Sequence, residues 1–422
     1  MGGSALKTNL RFDHHLLAVE GEHDVHCMLE LEAPAAPDTD RAPLHIALVI
    51  DRSGSMGGAK LAVAKDCARF LASRLLPTDQ LAVVAFDDDV DLVAPLTSAD
   101  SPGLSAAISS VYPRGSTNLS GGWLKGLEEL NRAEKGGVRR VLLLTDGQAN
   151  QGITDRAKLE KMADGSKSRA STTTIGFGDG FDEDLLTAIA ERSDGNAYFA
   201  ASPEDAPGIF AEEFEGLATL VAQNVSIEIR PTDSVQFTGV LNDYRLVDVP
   251  GGVQAQIGDA YGSERRRLVF AFHVPTLASL GPAKIADVIV RYAAVGGDVA
   301  VHEVTVPVIV NLVSSDEAAA VEVDSEVTDE IWLLRAATAR RDAITDFDAD
   351  DYDAGSKKMQ FARDALLEAA KTSPRAAEML EEAELLSERS APAEMRADPM
   401  WRKRASSEAY SRTRGRPSRK RG

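Results

Sequence analysis

The stretch that most constrains this chain is Leu44–Leu61, LHIALVIDRSGSMGGAKL. Leu44 to Ile50 is an unbroken apolar run rich in β-branched residues, which predicts a strand buried on both faces of a parallel sheet. It stops at Asp51, and a helical pattern of Leu61, Ala64, Ala68 and Leu71 begins a few residues later. Open α/β sheets bind ligands at the carboxyl ends of their strands. Here that position carries Asp51, Ser53 and Ser55 at alternate residues, with Gly57 and Gly58 before the helix. An oxygen-only donor set suits Mg²⁺, Mn²⁺ or Ca²⁺ rather than zinc or copper. Taken alone, Asp-x-Ser-x-Ser is also what a helix-capping turn looks like.

Two later stretches favour the ion. Arg114–Leu119, RGSTNL, is a polar loop ahead of a helical pattern at 119–130 and brings a third hydroxyl, Thr117. Val138–Gly147, VRRVLLLTDG, is a second buried-strand run whose end supplies a second carboxylate, Asp146. One chemistry at three separate sites points to a shared oxygen cage.

Asp51, Ser53, Ser55, Thr117 and Asp146 resemble, position by position, the metal-ion-dependent adhesion site of von Willebrand factor A domains. The resemblance runs from about Pro43 to Leu220 and includes LAVVAFDDDV at 81–90 and TTTIGFGDGFDEDLL at 172–186. It implies that the two serines and the threonine ligate a divalent cation, usually Mg²⁺, while the aspartates ligate directly or through water. It also implies that the open position takes an Asp or Glu from a partner protein. In that family, ligand binding shifts the last helix of the domain, here Glu204–Leu217. Mg²⁺ prefers about six oxygens, and a cage with few carboxylates leaves it seeking another anion.

The remaining sequence sets the context. With 422 residues the chain has room for two or three domains, and a formal charge of −20 argues against general binding to nucleic acid or anionic membranes. Cys27 and Cys67 sit in apolar patterns and read as buried thiols, which fits a reducing compartment. No stretch approaches the roughly 18 apolar residues of a membrane helix, and MGGSALKTNLRFDHH lacks an apolar signal core. The expected location is the cytoplasm.

Five segments emerge. Residues 1–42 carry two strands, Asn9–Val19 and His23–Leu31, whose histidines read as strand surface rather than a zinc site. Residues 43–220 alternate strands and helices as a doubly wound α/β domain. Asp87–Asp89 reads there as a solvated acidic turn. Residues 221–313 turn to short alternating runs, an antiparallel β-sandwich that the N-terminal strands complete, so that the α/β domain is inserted in it. Residues 314–390 are helical. The acidic DFDADDYDAG at 346–355 fails the EF-hand pattern, with Asp351 and Lys357 at the sixth and twelfth positions. Residues 391–422 read as a disordered basic tail, with nine Lys/Arg and one acid over 402–422. That tail offers at most a weak hold on nucleic acid, or an arm that docks on acidic surfaces.

Three functions fit. The leading one is a divalent-metal-dependent protein-interaction module that captures a partner's Asp or Glu. The alternatives are a metal-dependent hydrolase, disfavoured because no His, Lys or Cys is visibly placed near the cage as base or nucleophile, and a scaffold whose metal is purely structural.

Overall fold

The computed structural model describes residues 5–36, 41–133, 136–277, 279–295, 301–389 and 400–414. Three N-terminal strands come first: β1 (Lys7–Phe12), β2 (Leu16–Ala18) and β3 (His23–Glu32). The expected single strand over 9–19 is broken at Asp13. Its buried carboxylate accepts hydrogen bonds from the backbone N–H groups of His14 and His26 and lies 2.9 Å from His26 Nδ1. β1 then pairs with β3, while β2 leaves to pair in parallel with a strand near residue 312.

The α/β part follows: β4 (Leu44–Asp51), α1 (Ala59–Arg74), β5 (Gln80–Phe86), β6 (Val90–Ser98), α2 (Leu104–Ser109), α3 (Leu119–Leu130), β7 (Val138–Thr145), α4 (Arg156–Ser166), β8 (Ser171–Phe177), α5 (Glu183–Arg192), β9 (Ala197–Ala200) and α6 (Ala206–Ala218). The sheet order is β6-β5-β4-β7-β8-β9, with only β6 antiparallel to its neighbour. Every residue of β4 is buried, as its unbroken apolar run requires. α1, α2 and α6 cover one face, and α3, α4 and α5 cover the other. α3 lies close against the sheet because Gly122 and Gly126 face it. A Cβ at Gly122 would stand 2.4 Å from the Phe86 ring, and one at Gly126 would stand 2.6 Å from Val49. β4 and β7 flank the point where strand order reverses, so the loops after them open a crevice there.

The later strands are β10 (Leu220–Pro231), β11 (Gln236–Val240), β12 (Arg245–Val249), β13 (Gly252–Tyr261), β14 (Arg265–Val274), β15 (Gly281–Ala294) and β16 (Val301–Val313). They form two sheets, ordered β1-β3-β14-β11 and β12-β13-β10-β15-β16-β2, so strands from both sides of the α/β part share each sheet. One apolar cluster, including Val25, Cys27, Ile227, Phe270 and Val288, takes residues from both.

The C-terminal helices are α7 (Ser315–Ala319), α8 (Ser325–Asp348), α9 (Tyr352–Ala369), α10 (Ala376–Arg389) and α11 (Trp401–Thr413). α8 lays Val327, Ile331 and Leu334 on Met28 and Val269 of the smaller sheet. The acidic segment at 346–355 is mostly helix, since α8 reaches Asp348 and α9 begins at Tyr352.

The tail is where expectation fails most clearly. Residues 401–413 are a packed helix rather than disordered, while 390–399 and 415–422 lie outside the described residues. Trp401, Ala405 and Ala409, spaced by four, form a buried stripe, and the Trp401 ring meets Phe347 edge-on at 5.4 Å. The cations of this helix, and Arg414 just after it, pair with the acidic body: Arg402 with Asp184 and Asp348, Lys403 with Glu183, Arg412 with Glu378, and Arg414 with Glu191. Among the described residues no helix is long and apolar enough to cross a membrane.

Candidate functional site

The five residues singled out by sequence lie at the carboxyl ends of β4 and β7 and on the loop before α3. Asp51 ends β4 fully buried. Its Oδ1 accepts from the Ser53 backbone N–H at 2.7 Å, and its Oδ2 accepts from the Thr145 hydroxyl at 2.5 Å. Ser53 Oγ and Ser55 Oγ are 3.1 Å apart, and Ser55 donates to Asp146 Oδ1 at 2.7 Å. Four of the five are thus joined by direct hydrogen bonds.

Thr117 arrives by a different route. Its loop is bound to the β4–α1 loop through Gly54 N–H to Gly115 O (3.1 Å) and Arg114 N–H to Arg52 O (2.8 Å). Gly115 has φ of +66°, a left-handed turn that suits glycine. On the other side, Asn150 accepts from the Thr117 N–H at 2.9 Å, and the Thr117 carbonyl accepts from the N–H groups of Asn150 and Gln151. A Cβ added to Gly147 would lie 3.0 Å from Thr117 Oγ1 and 3.8 Å from Asp51 Oδ2. The threonine hydroxyl and the aspartate therefore face the same small space.

Several residues of the site were not picked out from the sequence. Thr145 orients Asp51, and its place next to Asp146 at a strand end was the available clue. Lys60, in the first turn of α1, sets Nζ 2.5 Å from Asp146 Oδ2, so a lysine does stand at the cage, against expectation. Asp87 was expected in solvent but is 1% exposed. It accepts from the Asp89 N–H at 2.9 Å and bonds Arg52 at 3.2 Å and Arg114 at 2.5 Å, and these partners hold its carboxyl below the usual range despite burial. This ion-paired platform fixes the two hydroxyl-bearing loops to each other. Asp88 adds to it by accepting from Ser116 N–H at 3.0 Å.

The donor set fits a hard divalent cation. Two carboxylates and three hydroxyls surround one space, and among the described residues no group of three or more His, Cys, Asp or Glu could hold a metal by itself. Burial pushes the Asp51 carboxyl up to about 6, against the pull of its hydrogen bonds and with Asp146's charge adding to the rise. A buried carboxylate facing a second one is a place where positive charge stabilises.

Residues 45–212 match the family described as von Willebrand factor type A domain. That part of the chain is a von Willebrand factor A domain. A relative from Synechocystis, the protein sll0103, is 29% identical over 272 residues, covering 62% of this chain and 64% of its own length. The chain therefore spans less than two thirds of that relative. Among solved structures, a von Willebrand factor type A protein from Catenulispora acidiphila superposes with a TM-score of 0.71 at 18% identity, covering 90% of this chain and 89% of its own. The ArnB paralog VWA2 from Sulfolobus acidocaldarius gives 0.64 at 17% identity, covering 97% and 98%. At these identities the likeness is one of fold. Von Willebrand factor A domains are commonly protein-interaction modules and often bind a divalent metal.

Proposed function

We propose that Asp51, Ser53, Ser55, Thr117 and Asp146 of this von Willebrand factor A domain hold one divalent cation, Mg²⁺ with Mn²⁺ or Ca²⁺ as substitutes, as a metal-ion-dependent adhesion site. On this reading the protein captures an Asp or Glu side chain of a partner protein. The observation that carries it is the run of bonds Ser53–Ser55–Asp146, which joins the ends of two non-consecutive strands at the switch point. A bound divalent ion would supply the positive centre to which a partner's carboxylate adds. Ser53, Ser55 and Thr117 offer neutral oxygens, which leave much of such a charge uncancelled and able to form a charge-assisted contact. Thr145 and the Ser53 N–H keep Asp51 oriented, and Lys60 occupies the second oxygen of Asp146.

This is a binding module rather than an enzyme. The two carboxylates bond hydroxyls, a backbone N–H and one ammonium already engaged by Asp146. The α/β domain is read as an insertion in a β-sandwich, supported by β3, which precedes it, pairing with β14, which follows it. α6 leads directly into β10, so a shift of α6 on partner capture would reach the sandwich. The free, buried Cys27 and Cys67 support a reducing compartment, the cytoplasm.

The test is retention of proteins on the immobilised full chain in Mg²⁺ and in EDTA. A partner held in Mg²⁺, released by EDTA and lost with Asp51→Ala is expected. Retention indifferent to both treatments contradicts the reading.

A further inference from the structure

The segment between β8 and α5, residues 178–182, closes the sheet beside Asp146. A Cβ at Gly180 would stand 2.7 Å from the Asp146 carbonyl oxygen, so the two backbones lie directly on one another. The next residue, Phe181, is buried and presses its ring on Gly176, where a Cβ would meet it at 2.4 Å. Gly176 pairs in register with Thr145. The segment therefore bears on the two β7-end residues, Thr145 and Asp146, that orient or form the candidate centre.

What holds this segment comes from far along the chain. Lys403 of α11 donates to the Phe181 carbonyl at 2.7 Å and to Glu183 Oε2 at 2.6 Å. Its ammonium also lies 3.9 Å from the centroid of the Phe181 ring. The neighbouring Arg402 pairs with Asp184 at 3.2 Å and Asp348 at 2.8 Å, and also bonds Glu183. α11 is in turn fixed to the helical region by Trp401 and by Arg412 on Glu378.

Lys403 is only 7% exposed, and burying an ammonium costs free energy unless its donors are used. Burial, with Arg402's charge adding, pulls its ammonium down to about 8. A methionine would fill the same space without that cost. The ammonium's distinctive contribution is to fix a loop carbonyl and a helix-start carboxylate to α11.

We propose that Lys403 is a positioning residue for the candidate ion centre: by holding the Phe181 carbonyl and Glu183 it keeps residues 178–182 seated on Asp146, so this local contact, rather than the docking of α11 as a whole, sets ion affinity. This rests on the ion-centre reading above. Coupling between two sites is reciprocal, so ion binding also tightens the Lys403 contact with the loop.

The test uses the full chain, with Mn²⁺ alone as probe followed by electron paramagnetic resonance, and amide hydrogen exchange of residues 178–183 measured in EDTA. Lys403→Met keeps the aliphatic stem and removes the donors. Arg412→Gln loosens the same helix at an end remote from the loop. Lys403→Met is expected to weaken Mn²⁺ binding by on the order of tenfold and to speed exchange at 178–183, while Arg412→Gln changes neither beyond twofold. Equal losses in both variants, or no change in Lys403→Met, overturn the proposal. A wild-type chain that takes up no Mn²⁺ sinks the ion-centre reading and the affinity half of this one. Faster exchange in Lys403→Met then still supports the positioning role, and unchanged exchange overturns it.

Discussion

Ser55 donates its hydroxyl to Asp146 at 2.7 Å across 91 residues of sequence, and the other oxygen of that carboxylate is taken by Lys60 at 2.5 Å. One aspartate thus ties the loop after β4, the first turn of α1 and the end of β7 together.

Lys60 places a positive charge where the proposed cation would sit nearby. Two unit charges about 4 Å apart in high dielectric interact by about 1 kcal/mol, enough for several-fold in affinity. Lys60→Met is expected to tighten Mn²⁺ binding by roughly three- to tenfold, read by calorimetric titration. Weaker binding would make Lys60 a support of the centre rather than a competitor.

Arg140 on β7 is fully buried and bonds Asp259 of β13 at 2.7 Å, linking the α/β part to the six-stranded sheet that holds β13. Removing one partner of a buried pair strands the other charge. Arg140→Met should therefore cost about 3–5 kcal/mol in urea unfolding. Among the described residues Arg140 Nε and Asp259 Oδ1 have no hydrogen-bond partner, Nε lying 3.8 Å from Glu213, so the pair is only partly satisfied. The double variant Arg140→Met/Asp259→Leu is accordingly expected to recover most of the loss. A double variant as unstable as the single would refute this.

Asp194 sits at φ +57°, and burial, with Asp259's charge adding, pushes its carboxyl up to about 6. Between the ordinary aspartate value and 6 the folded chain holds a proton that the unfolded chain has lost. The group therefore favours folding at low pH, and that contribution is lost as pH rises through 6. Asn tolerates the left-handed conformation, so Asp194→Asn should stabilise by roughly 1–3 kcal/mol at pH 8. The gain should shrink toward zero near pH 4 in thermal or denaturant unfolding. A gain independent of pH would contradict this account.

The strands of the α/β part were legible because a strand covered on both faces has no polar alternation to hide it: Leu44–Ile50 and Val141–Leu144 read as continuous apolar runs and are buried throughout. The loop donors were legible because they follow those runs directly. The Arg52–Asp87–Arg114 platform was not, since the charges come from three loops and nothing local distinguishes Asp87 from the exposed Asp88 and Asp89. Nor was α11. With nine Lys/Arg over 402–422, composition suggested a solvated tail, but the acids that neutralise Arg402, Lys403 and Arg414 are on α5 and α8. Three apolar residues at a spacing of four, Trp401, Ala405 and Ala409, were the one local sign that this segment packs.

The most direct measurement is calorimetric titration of MgCl₂ and MnCl₂ into metal-stripped full chain, compared with Asp51→Ala and Thr117→Val. One ion per chain, with binding abolished by the first change and weakened by the second, is the predicted result. Identical isotherms for all three proteins, or no uptake by the unaltered chain, would contradict it.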